Sequence, residues 1–422
     1  MRLKLSFLGA TQNVTGSRFL LEAGDRRFLI DIRMHQEREL RTRDWDPFPV
    51  EPSSIDAVLI THAHIDHCGY LPKLVREGFT GPVYCTPATA EIMKISLLDS
   101  AYLQETDAEN KRKRHEREGR KGPHPEIPLY TIKDAEASFP RLNPIPYKET
   151  FALSPTMSAS FFDAGHILGS AMIAIDVQLD DARRRIIFTG DIGRWNRPIV
   201  RNPTTFGRAD YVIMESTYGN RVHENVDQVI NQLEQVINNA VAMKGNIVVP
   251  TFAIERAQEL LYHMRQLLYA DRIPHLLVFL DSPMAIKVTE VFRNHTDLYD
   301  REAREILASS GSPLDFPSLV AVATAEQSKA LNHLGGSAMI IAGSGMVTGG
   351  RIKHHLINNI SRAESTVLFV GYQAVGTLGR QIIDGAREVR ILGQMYPVRA
   401  RIEQIQGFSS HADQNELVRW LC

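Results

Sequence analysis

Near residue 209 the apolar residues change rhythm, and that change restricts the chain to a composite α/β fold. Before it, LKLSFLG, RFLLEA, RRFLID and AVLITH are short apolar or alternating runs separated by Gly, Asp and Ser. This is the pattern of half-buried strands, and SASFFDA, AMIAIDVQL and RRIIFTG continue it. After it, YVIMES, NIVVPTF, HLLVFLDS, SLVAVAT and AMIIAG are continuous apolar runs, with helical spacing in DQVINQLEQVINNAVAM and RAQELLYHMRQLL between them. Buried strands alternating with helices predict a parallel, helix-covered sheet. Beyond about residue 376, EVRILG and VRARIEQI alternate again. A β-rich fold thus brackets an α/β block. A helix is expected over 88–104, opened at Pro87, and a charged excursion or mobile loop over 105–127, whose basic part 109–122 is either a strand-guiding arm or a solvated loop.

Composition excludes several classes. Cys68, Cys85 and Cys422 form no C-x-x-C pair, which rules out a disulfide scaffold and a thiolate zinc cluster and fits a reducing, cytoplasmic setting. No apolar run approaches the ~18 residues of a membrane span, and MRLKLSFLGATQN reads as a strand rather than a signal peptide. The formal net charge of −1 argues by itself against a nucleic-acid partner. It hides two basic stretches: residues 109–122 hold seven Lys/Arg against three Glu, and 348–401 hold eight against three acids, leaving −10 for the remainder.

The strongest motif is THAHIDHCG, residues 61–69, just past the apolar run Ala57 to Ile60. His62, His64, Asp66 and His67 supply three imidazoles and a carboxylate within six residues. A strand end turning into a loop can aim them into one pocket, and nitrogen and carboxylate oxygen suit zinc-class metals without sulfur. One loop cannot complete a metal pair. His166 in FFDAGHILGSA, Asp191 in RRIIFTGDIGR and His411 in IEQIQGFSSHAD each follow an apolar strand beside small residues.

H-x-H-x-D-H followed by single His, Asp and His ligands resembles the metal framework of the metallo-β-lactamase superfamily. MESTYGNRVH (214–223), PTFAIERAQEL (250–260), DSPMA (281–285), GSGMVTGGRIKHHL (343–356) and GYQAVGTLGR (371–380) narrow the resemblance to its β-CASP RNA-processing nucleases, the bacterial relatives of the cleavage-and-polyadenylation endonuclease. The resemblance covers nearly the whole chain. It implies a metallo-β-lactamase αββα sandwich with an inserted parallel-sheet β-CASP domain: residues 1–208 for the first part, 209–376 for the insertion and 377–422 for the return segment. It also implies two Zn2+ per chain, one held by His62, His64 and His166 and one by Asp66, His67 and His411, with Asp191 bridging. Two dications need a shared anion; they can hold a bridging hydroxide at neutral pH and clamp a phosphodiester for in-line attack. Asp66 could orient or deprotonate the attacking water. A histidine at 411 is what RNA-acting members carry, so the implied activity is hydrolysis of single-stranded RNA, mainly endonucleolytic, with 5′-exonuclease activity left open. A homodimer is plausible by resemblance, and no membrane partner is expected. The alternatives are a non-catalytic RNA-binding scaffold, which the complete ligand set disfavours, and a small-substrate hydrolase such as a glyoxalase or lactonase, which the β-CASP motifs disfavour.

The chain departs from the family pattern in three places. The family's D-C-G-x-F-Q segment reads Asp31, Ile32, Arg33, Met34, His35, Gln36, so the local turn is expected to differ, while Asp31 is expected to orient a metal-ligating histidine. Glu215 matches the first β-CASP acid. The histidine it serves in relatives, the suspected general acid, is Gln381 here; glutamine has no titratable proton near neutrality, so His354, His355 or water must substitute, or turnover is slow. Glu255 stands where relatives often have glycine. Arg256 reads equally as a phosphate contact or a helix-surface salt bridge, and the loop Ser344, Gly345, Met346 could cradle a phosphate with backbone N–H groups, with Arg351 and Arg380 nearby in the second basic stretch. Asp413 and Glu416 predict a capped final helix with Leu417, Val418 and Leu421 on its apolar face. Relatives usually continue a few tens of residues further, so a naturally short chain or a truncated one is expected.

Overall fold

The computed structural model describes residues 2–9, 11, 16–35, 41–121, 126–180, 182–223, 226–334 and 337–422; Gln36, one of the two matches to the D-C-G-x-F-Q segment, lies outside them. The contacts divide the chain into two units, residues 1–193 with 202–217, and residues 194–201 with 218–422.

The first unit holds two sheets. β1 (Leu3–Phe7), β2 (Phe19–Ala23), β3 (Arg26–Ile30), β4 (Ala57–Leu59), β5 (Val83–Cys85) and β6 (Leu142–Pro144) form one in sequence order, antiparallel at first and parallel from β3 onward. β7 (Thr150–Ser154), β8 (Met157–Asp163), β9 (Ala171–Gln178), β10 (Arg183–Phe188) and β11 (Tyr211–Ile213) form the other. Leu21, Phe28, Ile30 and Leu59 from the first pack with Phe161, Ile173, Ile175 and Phe188 from the second in one buried cluster. That alternation of inward residues is why these strands read as half-buried in the sequence. Among the described residues the α-helices that accompany the sheets are α1 (Ile65–Cys68), α2 (Leu71–Arg76), α3 (Pro87–Glu118) and α4 (Ile132–Ser138).

α3 overturns one expectation. The segment 105–127, expected as a mobile loop, continues the helix through Glu118 and ends at Gly119 in the left-handed conformation. Residues 105–118 contain no Gly or Pro and are rich in Glu, Lys and Arg, all strong helix formers. The breaker residues begin only at 119, where the helix stops.

The second unit is built on the parallel sheet expected from its continuous apolar runs. The elements run α5 (Val226–Ala242), β12 (Ile247–Pro250), α6 (Arg256–Tyr269), β13 (Leu277–Asp281), α7 (Pro283–Asn294), α8 (Arg301–Ser310), β14 (Leu319–Ala321), α9 (Ala325–Ala330), β15 (Ala338–Ala342), α10 (Ile352–Asn359), β16 (Thr366–Phe369), α11 (Leu378–Ile383), the hairpin β17 (Glu388–Ile391) and β18 (Gln394–Pro397), β19 (Arg401–Gln404) and α12 (Gln414–Leu421). The sheet order is β14-β13-β15-β12-β16-β19, every pairing parallel. β12, β15 and β16 are buried along their whole length, as strands covered on both faces must be.

In the contact division residues 377–422 lie in the second unit, where β19 pairs with β16. A further difference concerns the end of the chain. The final helix forms with the Asp413–Glu416 capping box, but it buries Leu417 and Trp420 while Val418 and Leu421 are exposed. Residues 417 and 420 are three apart and share a face; 418 and 421 form the adjacent stripe.

Candidate metal centre

Each donor of the first unit sits where a strand has just ended. β4 leads through Thr61 into His62, His64 and the single helical turn α1, which carries Asp66 and His67. That turn was not expected. It directs Asp66 and His67 from consecutive positions while the extended residues before it present His62 and His64. β8 leads into His166 and β10 into Asp191. Glycines bring these loops together: a β-carbon at Gly193 would overlap the Gly165 carbonyl oxygen, and Gly190 takes φ +52° against the Thr61 side chain.

The donor atoms converge. His64 Nδ1 lies 3.1 Å from His62 Nε2 and 3.3 Å from His166 Nε2. Asp191 Oδ2 lies 3.4 Å from His62 Nε2 and 3.5 Å from His166 Nε2. All four atoms fall within 4.8 Å of one another. A tetrahedral zinc site with metal–nitrogen bonds of about 2.0–2.1 Å has ligand–ligand edges of about 3.3–3.4 Å, so these residues fit a divalent cation. The other carboxylate oxygen, Asp191 Oδ1, is 3.5 Å from His67 Nε2, which is 3.9 Å from Asp66 Oδ2. Asp191 therefore faces one donor set with each oxygen.

Buried neighbours fix which ring nitrogens present lone pairs. Asp31, fully buried with φ +56°, accepts from the Thr61 backbone N–H at 2.8 Å and from the Thr61 hydroxyl at 2.9 Å. It also accepts from His67 Nδ1 at 2.7 Å, so His67 Nε2 is the ring nitrogen that faces Asp191 and that a bound cation would deprotonate. Thr61 has one hydroxyl proton and spends it on Asp31, so His62 Nδ1, 3.0 Å from Thr61 Oγ1, donates to that oxygen. His62 Nε2 is then the free base in the cluster. Burial, followed by the nearby His67, holds His62 well below the ordinary histidine value. Burial works in the same direction on His67, but the Asp191 and Asp31 carboxylates outweigh it and raise that group. Burial, then Asp31 and Asp66, pushes the Cys68 thiol well up, so the cysteine inside the motif stays a thiol and the donor set is nitrogen and oxygen. The sequence pointed to Asp31; Thr61 was passed over, and its place one residue before the first histidine, at the strand end, was the available signal.

Glu215 accepts from the Ile192 N–H at 2.6 Å, beside Asp191. A cavity of about 310 Å³ opens over Asp31, Thr61, His67, Asp191 and Glu215. Arg33, at the family's glycine position, takes an ordinary negative φ and lays its guanidinium against Gly9 and Gly16. The left-handed residue of this turn is Asp31 instead.

His411 belongs to the second unit, on the loop before α12, and that loop is held from several sides. Arg194 donates to the Gly407 carbonyl at 2.8 Å and Arg197 to the Ser409 carbonyl. His223 Nε2 donates to the His411 carbonyl at 3.0 Å, and the His223 N–H to Asp413 at 2.9 Å. Burial and the neighbouring Arg194 lower His223 to about 4, which keeps it neutral. Sequence reasoning assigned no role to Arg194, Arg197 or His223.

The remaining expected site residues are dispersed over the second unit. Arg256 is buried at the start of α6, its Nη1 3.7 Å from Glu259. Glu255 before it takes φ +65°, a conformation that explains why glycine is usual there. The Ser344 hydroxyl accepts from the N–H groups of Thr348 and Gly349 at 3.0 and 3.2 Å, closing the Ser344, Gly345, Met346 loop on itself. Arg351 is engaged by Asp281 at 2.6 Å and by the Val322 and Ala323 carbonyls. Arg380 pairs with Asp384 at 2.8 Å, and Gln381 is exposed. His355 is buried against Asp281 at 2.5 Å, whereas His354 is exposed.

Two stacked sheets with a histidine–aspartate cluster at their strand ends, followed by a parallel-sheet unit, define a metallo-hydrolase of the metallo-β-lactamase class with a β-CASP region. The chain belongs to that family. Its model for the metallo-beta-lactamase superfamily matches residues 14–216, the Beta-Casp domain residues 257–382, and the Zn-dependent metallo-hydrolase RNA specificity domain residues 395–421. The chain is 37% identical over 413 residues to Ribonuclease TTHA0252 of Thermus thermophilus, covering 98% of this chain and 89% of the relative. It is 31% identical over 436 residues to Transcription termination factor FttA of Methanocaldococcus jannaschii, covering 99% of this chain but 64% of that protein, less than two thirds of its length. A protein of unknown function from Enterococcus faecalis shares the fold, with a TM-score of 0.56 at 12% identity over 100% of this chain and 91% of the other. Among the described residues no helix is long and apolar enough to cross a membrane.

Proposed function

We propose that this protein is a metal-dependent ribonuclease that hydrolyses phosphodiester bonds of single-stranded RNA, mainly endonucleolytically, in the cytoplasm. The observation that carries this is the pair of donor sets on the two oxygens of Asp191, spaced for divalent cations, in a chain that carries all three domain matches of a β-CASP nuclease. His62, His64 and His166 would hold one Zn2+, Asp66 and His67 the second, and Asp191 both; His411 is added as the seventh ligand on the family pattern alone. Bound there, the ions would supply Lewis acidity toward a phosphoryl oxygen and activation of water near neutral pH.

The chain's own residues do the rest. Asp31 and Thr61 keep His67 and His62 in the tautomers that leave Nε2 basic. Asp66 orients the attacking water and takes its proton. Glu215 is held beside Asp191 by the Ile192 N–H. With Gln381 at the relatives' histidine position and His355 committed to Asp281, protonation of the leaving 3′ oxygen falls to His354 or to solvent, and turnover is slow. Arg256, Ser344, Gly345, Met346, Arg351 and Arg380 are retained as RNA-phosphate contacts on the family pattern, with Arg351 the weakest because its guanidinium is already engaged. A homodimer completes the reading.

The test is cleavage of end-labelled single-stranded RNA by the purified protein, with and without chelator, beside Asp191→Asn, with bound metal measured in both proteins. Cleavage lost to chelator and regained with Zn2+, and an Asp191→Asn protein depleted in metal and inactive, is the expected result. Chelator-resistant cleavage sinks the metal mechanism.

A further inference from the structure

α3 has two halves with different surroundings. One face of its first half is buried and hydrogen-bonded to the loops that carry the metal donors. Thr86 and Thr89 hydroxyls donate to the Gly169 carbonyl at 2.6 and 2.8 Å, just beyond His166, and the Ser96 hydroxyl donates to the Ala63 carbonyl at 3.2 Å, between His62 and His64. Its second half is exposed from Glu109 to Glu118, with His115 the exception. At 32 residues the helix is ~48 Å long, so the second half is a stiff extension of the metal-binding scaffold. His115 pins it by pairing with Glu126, and Gly119 caps it.

That extension carries uncompensated charge. Residues 109–121 hold seven Lys/Arg against three Glu in a chain whose net charge is −1. Lys113 pairs with Glu109 and Arg120 with Glu118. No ion pair among the described residues engages Lys111, Arg112, Arg114 or Lys121. The outer face also has an aromatic end. Tyr102, Thr106, Lys113 and Arg117 recur at helical spacing on one exposed stripe, beginning with Tyr102, 59% exposed, beside Leu103, 49% exposed. A solvated helix face needs neither an exposed tyrosine nor a local excess of positive charge.

We infer that the exposed part of α3 from Tyr102 to Arg117, with its Lys111, Arg112 and Arg114, is a second RNA-contacting surface that holds the single strand away from the cleavage site. It rests on the ribonuclease reading. The basic side chains neutralise phosphates, Tyr102 stacks on a base, and the helix keeps both in fixed relation to the His62–His64 and His166 loops. The consequence is a substrate-length effect: long RNAs reach the arm and short oligonucleotides do not.

The test compares the full chain with Lys111→Gln/Arg112→Gln/Arg114→Gln, which preserves helix propensity, and with Tyr102→Ala. Direct binding of a long single-stranded RNA is titrated against salt, and cleavage of long and short RNA is followed separately. Expected for the triple variant are roughly ten-fold weaker binding of long RNA and a salt slope shallower by about two, since each phosphate contact to a single strand contributes ~0.7. Short-RNA cleavage stays unchanged. Tyr102→Ala weakens long-RNA binding with its salt slope unchanged. Equal binding of long RNA by wild type and triple variant overturns the inference, as does a loss that is matched for poly-glutamate, which marks an acidic protein as the occupant. Reduced RNA binding by the triple variant of a protein that cleaves no RNA supports the arm while refuting the nuclease reading, so the two failures are distinguishable.

Discussion

In the first unit, His62 Nε2 and His64 Nδ1 face each other at 3.1 Å. In the second, His355 Nε2 faces Asp281 Oδ2 at 2.5 Å. Both clusters are buried histidine–aspartate groups at the ends of strands, and they are wired oppositely. Around Asp281 every contact is complementary: His355, the Ser328 hydroxyl and the Arg351 guanidinium all donate to one carboxylate. Around Asp191 one ring nitrogen each from His62, His64 and His166 crowds within 4.8 Å of the others and of one carboxylate oxygen, an arrangement suited to a cation. A complementary cluster stabilises a fold by itself; a cluster of like donors stabilises it only with metal.

The contrast can be broken first at Asp281. Burial works to raise its carboxyl, but hydrogen bonds from His355, Ser328 and Arg351 outweigh it and hold the group below its ordinary value of 3.8. A depressed carboxyl contributes stability that is complete above the unfolded value and is lost as pH falls through the folded one. Asp281→Asn should cost about 3–5 kcal/mol, the usual effect of removing one partner of a buried pair, and should flatten the acid limb of the unfolding profile. Its metal content should equal that of wild type; a loss of metal would contradict the structural role.

Asp31→Asn should do the reverse. It frees the tautomer of His67, and partners of metal-ligating histidines typically control affinity by 10–100-fold, so metal titration should show a loss in that range with a much smaller change in unfolding of the second unit. Unchanged metal affinity would remove Asp31 from the site. The smallest effect is expected at Thr61→Val. It deletes one hydroxyl of a buried relay, about 1 kcal/mol, and metal binding should weaken roughly five-fold. A Thr61→Val effect equal to that of Asp31→Asn would mean that the hydroxyl alone carries the coupling to both histidines.

Much of this was legible without coordinates. His62, His64, Asp66 and His67 stand out as candidates by spacing; His166 and Asp191, each a weak signal alone, follow apolar strands beside glycine and are assigned through the family resemblance. The β-runs were legible because burial on one face or two leaves different periodicities. Residues 105–118 read as loop because the segment 105–127 is charged and punctuated by Gly and Pro, but that punctuation begins only at 119, and Glu, Lys and Arg before it favour helix. The apolar face of α12 was misplaced by one stripe, since Trp420 and Val418 are equally apolar in sequence and only packing selects between them. Arg351 and His355 looked available for phosphate or proton transfer; a carboxylate 70 residues away in the chain claims Arg351 and the same carboxylate, 74 residues away, claims His355.

By itself the sequence determined the donor types, the strand ends that carry them, and membership in a family of metal-dependent hydrolases. Those are local properties: residue chemistry, periodicity, the punctuation of glycine. Only the tertiary structure decided that His64 and His166, 102 residues apart, lie 3.3 Å from each other, that Asp191 offers one oxygen to each donor set, and that Thr61 dictates which nitrogen of His62 is basic. Those depend on how loops from two sheets approach across Gly165, Gly190 and Gly193, and no local pattern encodes a distance between segments that meet only when the sheets pack.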